Sequence, residues 1–178
     1  MKGDVDTTKF LRAVQMRNAR IAASLTATRR SGPGTMHSAR EFFCTIDLAR
    51  FGADKKSAFR KELDAATEAL RRALPKDNWG LARKLMNIFL RDALYTTYLC
   101  EHFGLKVAEK FLEIPLDSIT SKHLRKRAGR GVLPAWKGVK HLNSEASEKY
   151  QKFAGEHAEN RGIARVHLDT YWWSERTS

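Results

Sequence analysis

The chain has 178 residues, and its 33 Lys and Arg against 20 Asp and Glu give a formal net charge of +13. This length favours one domain spanning 1–178, and a hydrophobic content of 42% excludes a disordered chain. The charge favours a polyanion as partner, because each neutralised phosphate releases condensed counterions. An anionic membrane surface and charge that only solubilises the protein are the alternatives. Aromatic residues spread along the whole chain favour nucleic acid.

Cys44 and Cys100 are the only cysteines, and the sequence contains no HExxH or CxxC spacing. Two cysteines cannot hold an iron–sulfur cluster by themselves, so we predict neither a metal site nor another cofactor. Both lie in apolar helical stretches, which predicts buried free thiols in a cytoplasmic protein. The N-terminus lacks the apolar run of a signal peptide, and no stretch approaches 18 apolar residues, so we expect no membrane association through a span.

Hydrophobic periodicity is helical almost throughout and predicts an all-α, compact helical domain. Thr7 or Thr8 is expected to cap a first helix, which the glycine- and proline-containing stretch 30–34 ends. Helix 79–102 is the most apolar and is expected to lie at the centre of the core. The predicted helices after the first cover 38–52, 54–74, 79–102, 107–111, 118–127, 144–160 and 163–173.

A short turn, LPKDNWG, separates the predicted helices 54–74 and 79–102. Exposed N–H groups at the start of a helix bind phosphate, so the turn predicts DNA contacts at Asn78 and Gly80. Lys76 and Arg83 flank it and would add positive charge. An ordinary helix–helix turn is the alternative.

A second basic stretch, KHLRKRAGRG, follows the predicted helix start near position 118. It predicts a surface that contacts DNA phosphates, with an inert charged surface as the alternative. Its candidate residues are Lys122, Arg125, Lys126, Arg127 and Arg130.

Lys84 lies one turn into helix 79–102, and Asp117 closes the segment EIPLD. Taken alone, Lys84 is a surface charge and Asp117 an ordinary helix N-cap. Positive charge and partial desolvation would lower the pKa of Lys84 and leave the unprotonated amine that a Schiff base requires. A carboxylate kept ionised at a helix N-terminus would stabilise the cationic sugar that forms as a base leaves. Together they would suit cleavage of an N-glycosidic bond.

The C-terminal run RVHLDTYWW contains a second group of candidates. Asp169 and Trp173 are four residues apart and share a helical face, where an acid and an indole would recognise an extruded base. Trp172 beside them and Phe43 near the other end of the chain are further stacking candidates. Burial of these aromatic rings in the core is the alternative.

These motifs, in this order, resemble the helix-hairpin-helix DNA glycosylases, and most closely their archaeal 8-oxoguanine branch. The resemblance implies a helix-hairpin-helix element over about 60–102, ending in LARKLMNIF, with the family's catalytic lysine at Lys84. EIPLDS is similar to the family's proline-hydrophobic-aspartate segment and implies the catalytic aspartate at Asp117. LDTYWW is similar to the acid and tryptophan of that branch, at Asp169 and Trp173. The hairpin has KDNWG where the family usually has Gly-hydrophobic-Gly.

The resemblance implies a DNA glycosylase that flips a modified base out of the duplex and excises it to leave an abasic site. A further resemblance, to small bacterial antiphage glycosylases, implies glucosylated hydroxymethylcytosine as the base. The archaeal branch implies 8-oxoguanine and a lyase step in base excision repair. The expected partner is double-stranded DNA containing a modified base, bound by a monomer. A non-catalytic nucleic-acid-binding protein stays open as the alternative from another class.

Overall fold

A computed structural model describes residues 6–174, with side chains as far as Trp172. This part of the chain is all-helical and contains no strand, which confirms the predicted fold class. Short 3-10 turns occur at Leu48–Phe51, Glu109–Phe111 and Val139–His141. The α-helices are α1 (Thr7–Ala22), α2 (Thr35–Thr45), α3 (Lys56–Ala73), α4 (Trp79–Tyr95), α5 (Thr97–His102), α6 (Leu105–Ala108), α7 (Ser118–Ala128), α8 (Ser144–Glu159) and α9 (His167–Ser174).

Helix α1 is capped and anchored by polar side chains. Asp6 caps it in place of the predicted Thr7 or Thr8, because its Oδ1 accepts two backbone N–H groups at 3.1 and 3.2 Å. The buried amide of Gln15 donates to two carbonyl oxygens at the end of α2, each at 2.9 Å. The amide of Asn18 donates to a carbonyl oxygen of α4 at 3.2 Å. These bonds hold α1 against both neighbours.

The predicted helix 79–102 is divided at Thr96, whose backbone is extended. The Thr96 hydroxyl donates to the carbonyl oxygen of Asp92 at 2.8 Å, so the side chain satisfies the end of α4. Helix α5 then begins separately. Tyr95 and Tyr98, which lie within the predicted apolar helix, are exposed on either side of this break.

Two clusters of buried side chains form the interior. The first lies among α1 to α6 and includes the stacked rings of Phe43 and Phe89, whose centroids are 4.4 Å apart. The second lies among α7, α8, α9 and residues 114–116. Helix α4 packs against α1 and α3, while Trp79 at its start packs against the second cluster. The most apolar helix is therefore central, as predicted.

The prediction for the cysteines is correct about bonding and wrong about burial. Cys44 and Cys100 are both free, but Cys44 is exposed and Cys100 is half-buried. Phe43 occupies the buried face of α2, and the next residue lies about 100° further round the helix, so Cys44 faces solvent.

Within residues 6–174, no helix has the length and apolar character needed to cross a bilayer. The assignment of the whole chain to one domain stays a prediction, since 1–5 and 175–178 lie outside the described residues.

Candidate active site

Asp117 caps α7 through a reciprocal capping box, as its sequence context predicts. Its Oδ1 accepts hydrogen bonds from the N–H groups of Ile119 and Thr120 at 2.8 and 2.9 Å. In return, the Thr120 hydroxyl accepts the N–H of Asp117 at 2.9 Å. Both N–H groups donate to Oδ1, so this oxygen fixes the carboxylate in place. The cap does not require the second carboxylate oxygen, Oδ2.

Lys84 lies in the second turn of α4 and is half-buried. Its Nζ donates to the carbonyl oxygen of Ala27, in the connection between α1 and α2, at 3.0 Å. Desolvation lowers the pKa of Lys84 below 10.5, while the charges of Asp117 and Asp169 act in the opposite direction. Of the two causes that the sequence suggested, desolvation is therefore the one at work. A lowered pKa leaves more unprotonated amine at neutral pH.

Lys84 and Asp117 line the same cavity, whose volume is about 730 Å³. Four parts of the chain meet there: the α1–α2 connection, the start of α4, the start of α7 and residues 136–140. The volume lies within the range of small-molecule and cofactor sites. An amine and a carboxylate that are distant in sequence thus face one accessible space.

The lining of this cavity, called the basic cavity below, is strongly positive. Within residues 6–174 none of its cations forms an ion pair with a carboxylate. Among the described residues, Asp117 is the one acid in the lining. The five further cations are Arg29, Arg30, Lys76, Lys137 and Lys140.

Arg30 adopts a backbone conformation that side chains rarely tolerate. Its φ is 64°, and it is the one non-glycine residue with positive φ in the described part of the chain. Strain of this kind is retained where the surrounding structure enforces it, often beside a binding site. It places an arginine at the edge of the basic cavity.

A second cavity, of about 820 Å³, lies between α3 and α8 and differs in charge. Its lining carries five cations and four carboxylates, so its charges nearly balance. The basic cavity, with six cations and one carboxylate, is the one suited to a polyanion.

A buried ion pair ties the surroundings of Lys84 to those of Asp117. Arg83, next to Lys84, donates from Nε and Nη2 to the two carboxylate oxygens of Glu113 at 2.9 and 3.0 Å. Both side chains are 2% exposed. Gln151 of α8 also bonds the N–H and the carbonyl oxygen of Ile114, at 3.1 and 2.8 Å. The extended segment that leads to Asp117 is thereby held against α4 and α8.

No protein-family model, curated protein or solved structure matches this chain. In residues 6–174, no group of three or more His, Cys, Asp or Glu side chains is arranged to hold a metal ion.

The DNA contacts predicted around the α3–α4 turn fall in different environments. Lys76 is exposed and lines the basic cavity. Asn78 lines it too and caps α4, its Oδ1 accepting the N–H of Leu81 at 2.9 Å. The position of the Arg83 side chain does not agree with the predicted DNA contact. Its guanidinium is buried against Glu113 and offers no surface to a phosphate.

Gly80 is buried where the 3-10 turn Val139–His141 crosses the first turn of α4. A Cβ built on Gly80 would lie 2.1 Å from the carbonyl oxygen of Val139 and 2.8 Å from the Cβ of Leu142. Only glycine permits so close an approach of the two backbones. Gly80 thus positions one wall of the basic cavity, and its predicted contact with phosphate would require an exposure that it lacks.

Gly80→Ala is expected to displace residues 136–142 from α4 and to lower the free energy of unfolding by about 1–3 kcal/mol. Urea unfolding measures this loss of stability. Gly155→Ala is the matched control, since Gly155 lies inside α8 with open space around a Cβ. That change should raise stability by up to about 1 kcal/mol. An unchanged Gly80→Ala protein would contradict the close approach.

Three of the predicted base-binding side chains, Asp169, Trp172 and Phe43, are not in the lining of the basic cavity. Asp169 is half-buried and forms an ion pair with Arg91. Trp172 and Phe43 are fully buried, one in each hydrophobic cluster. Their burial agrees with the alternative that they are core residues. The side chain of Trp173 lies outside the described residues.

The basic stretch on α7 and after it is largely at the surface. Four of its cations are exposed and remain candidates for phosphate contact: Lys122, Arg125, Lys126 and Arg130. Arg127 is half-buried, with its guanidinium 4.8 Å from the ring centroid of Trp172. None of the five lines the basic cavity.

The sequence interpretation missed several residues of the basic cavity. It treated 30–34 only as a break, although Arg29 and Arg30 stand at its start. It also passed over Trp136, Lys137 and Lys140. An aromatic residue between Pro134 and Gly138 with adjacent lysines is a pattern that marks binding loops, and this signal was present.

Proposed function

We propose that the protein is a DNA glycosylase that flips a modified base out of duplex DNA and excises it, with Lys84 and Asp117 as catalytic residues. The main support is that a desolvated amine and a capped carboxylate line one cavity. Flipping costs a few kcal/mol of stacking and pairing, which contacts to the extruded nucleotide repay.

In the hydrolytic route, Asp117 stabilises the positive charge that develops on the deoxyribose as the bond from C1′ to the base nitrogen breaks. Water then forms the new bond at C1′ and loses a proton. The departing base takes up a proton, so the products are the free base and an abasic site. The capping box supports this role because it fixes the position of the carboxylate.

In the covalent route, Nζ of Lys84 forms the new bond to C1′ while the base leaves with the bonding electrons. Loss of a proton from Nζ and opening of the sugar ring give a Schiff base. β-Elimination of the 3′ phosphate then nicks the strand, and hydrolysis of the Schiff base returns the amine. The lowered pKa of Lys84 supports this route, since only the unprotonated amine attacks.

Duplex DNA is the proposed partner because the cations of the basic cavity have no carboxylate partners in the described residues. Helix α3, residues 74–78 and the start of α4 are proposed as the helix-hairpin-helix element. Lys76 lies at the turn and faces the same cavity as Lys84. The exposed cations of α7 would extend the phosphate-binding surface.

Two bases are proposed, each from one resemblance. Removal of glucosylated hydroxymethylcytosine would make the protein an antiphage enzyme, and removal of 8-oxoguanine a repair glycosylase. A cavity of about 730 Å³ is in the range that holds drug-sized ligands. A cavity of this volume can admit the bulky glucosylated base as well as the smaller oxidised purine.

A non-catalytic nucleic-acid-binding protein is the second candidate, and the burial of Trp172 and Phe43 as core residues favours it. Both candidates predict DNA binding that weakens with salt. Only the glycosylase releases a base.

Release of free base from duplexes containing either modified base is the direct test, with borohydride added to trap a Schiff base. Trapping should rise about tenfold per pH unit and level off below pH 10.5, because desolvation lowers the pKa of Lys84. Lys84→Ala should lose the trapped adduct.

Lys76→Ala is the matched control, because Lys76 lines the same cavity and is exposed. It should weaken DNA binding and retain the adduct. Base release that persists in Lys84→Ala without an adduct would assign the hydrolytic route. Salt-sensitive binding without release from any substrate would reject the glycosylase in favour of the second candidate.

A further inference from the structure

Trp136 has the environment of a stacking surface. Its half-buried side chain lines the basic cavity beside Lys84 and Asp117. Within the described residues its indole N–H has no hydrogen-bond partner. An indole that lies at the wall of a cavity can stack on a flat ring and donate to its edge.

The Trp136 ring is supported from behind by α8. It meets the ring of Tyr150 edge-on, with centroids 5.9 Å apart and an interplanar angle of 81°. Tyr150 is 1% exposed, and its hydroxyl donates to the carbonyl oxygen of Pro134 at 2.7 Å. The same tyrosine therefore holds both the ring and the backbone leading to it.

The other end of this loop is anchored on α4. The close approach between Gly80 and Val139 holds the chain after Trp136 against the first turn of that helix. Gly138, with φ of 99°, makes the turn between the two anchors. A loop held at both ends presents its aromatic ring with little conformational entropy left to lose on binding.

Positive charges that suit a nucleotide line the same cavity as the ring. Lys137 and Lys140 are exposed and line the cavity on the same loop. Arg29 and Arg30 line it from the α1–α2 connection. A flat apolar ring that shares a cavity with four cations suits a nucleobase together with its phosphates.

We infer that Trp136 is the surface on which an unpaired nucleobase stacks in the basic cavity, while Lys137 and Lys140 hold the neighbouring phosphates. This inference rests on the proposed function and assigns the side chain that binds the base. It replaces the C-terminal aromatic residues in that role and makes the Trp136 loop the element that selects the substrate.

The test uses the Asp117→Asn protein, so that binding is measured without base release. The probes are a duplex with one unpaired 2-aminopurine and the same duplex fully paired. Trp136→Leu should reduce the preference for the unpaired probe about 5- to 150-fold, because one base–aromatic stack is lost. Affinity for the paired duplex should stay the same. Trp136→Phe, which keeps a ring, should retain most of the preference.

Tyr171→Leu is the control for loss of an aromatic ring, since Tyr171 is exposed and outside the cavity lining. A preference that survives Trp136→Leu would overturn the inference. Photo-crosslinking to an unpaired 5-iodouracil answers the same question if that variant fails to fold. The crosslinked peptide should contain Trp136, and one containing Trp172 instead would overturn the assignment.

The two proposals fail in different ways. Base release without a Trp136-dependent preference would reject only the stacking surface. A Trp136-dependent preference in a protein that releases no base would support the nucleobase site and reject the glycosylase.

Discussion

Asp117→Asn is expected to reduce base release by a factor of at least about 10²–10³, since the fixed negative charge beside the developing cation is lost. Fold and DNA binding should be unchanged. Asparagine caps helices about as well as aspartate, so its side-chain oxygen can still accept the two N–H groups that Oδ1 accepts now. Single-turnover base release, urea unfolding and salt-dependent binding measure the three properties separately.

Asp6→Asn is the matched control, because Asp6 caps α1 through the same kind of bonds and lies outside the basic cavity. It should leave base release intact. Asp117→Ala adds the loss of the cap and should cost about 0.5–2 kcal/mol of stability as well. Wild-type rates in Asp117→Asn would show that the carboxylate only caps α7 and would remove the main support for the proposed mechanism.

Glu113→Ala is expected to have the largest effect on stability, about 3 kcal/mol, because it leaves the buried guanidinium of Arg83 without its main partner. This loss of stability is at the low end of the range for breaking a buried ion pair. The reason is that Arg83 keeps its hydrogen bonds to Asp64 at 2.8 Å and to Thr67 at 3.0 Å. Such a loss is a large part of the 5–15 kcal/mol that stabilises a typical domain. Urea unfolding gives the magnitude. Base release should fall too, because the segment that carries Asp117 loses its tie to α4.

The same carboxylate predicts a pH dependence of stability. Desolvation is the largest influence on Glu113 and acts to raise its pKa, but Arg83, Arg165 and Arg60 together lower the pKa below 4.5. The folded state therefore binds this proton more weakly than the unfolded chain does. The stabilisation that the ionised Glu113 carboxylate contributes to the folded state is present above pH 4.5. It is lost as the pH falls through the lowered pKa of Glu113.

The urea midpoint of the wild type should therefore decrease when the pH is lowered below 4.5. Glu113→Gln should remove the part of this decrease that comes from protonation of Glu113. Glu145→Ala is the control, because Glu145 pairs with Lys149 in an exposed position. The urea midpoint of the Glu145→Ala protein should equal that of the wild type. Equal midpoints for Glu113→Ala and the wild type would contradict the role of the buried pair.

Local patterns predicted part of the local structure. The apolar repeat of α4 and the N-cap at Asp117 are set by neighbouring residues, and both occur as expected. Patterns of the same kind failed where distant contacts decide the outcome. In the sequence, Arg83 is one more basic residue near a turn. In the structure it is buried in an ion pair with Glu113, thirty residues later (113 − 83). Trp172 reads as a stacking candidate, but the packing of α7, α8 and α9 buries it.

The sequence alone determined that this chain is helical, strongly basic and built around one apolar helix, because periodicity and charge are properties of neighbouring residues and of their sum. It also singled out Lys84 and Asp117. Only the tertiary structure decided that these two face one cavity, that Trp136 and its lysines join them and that Arg83 does not. A cavity is formed by segments remote in sequence, and what lines it depends on which buried charges and close backbone approaches hold those segments together.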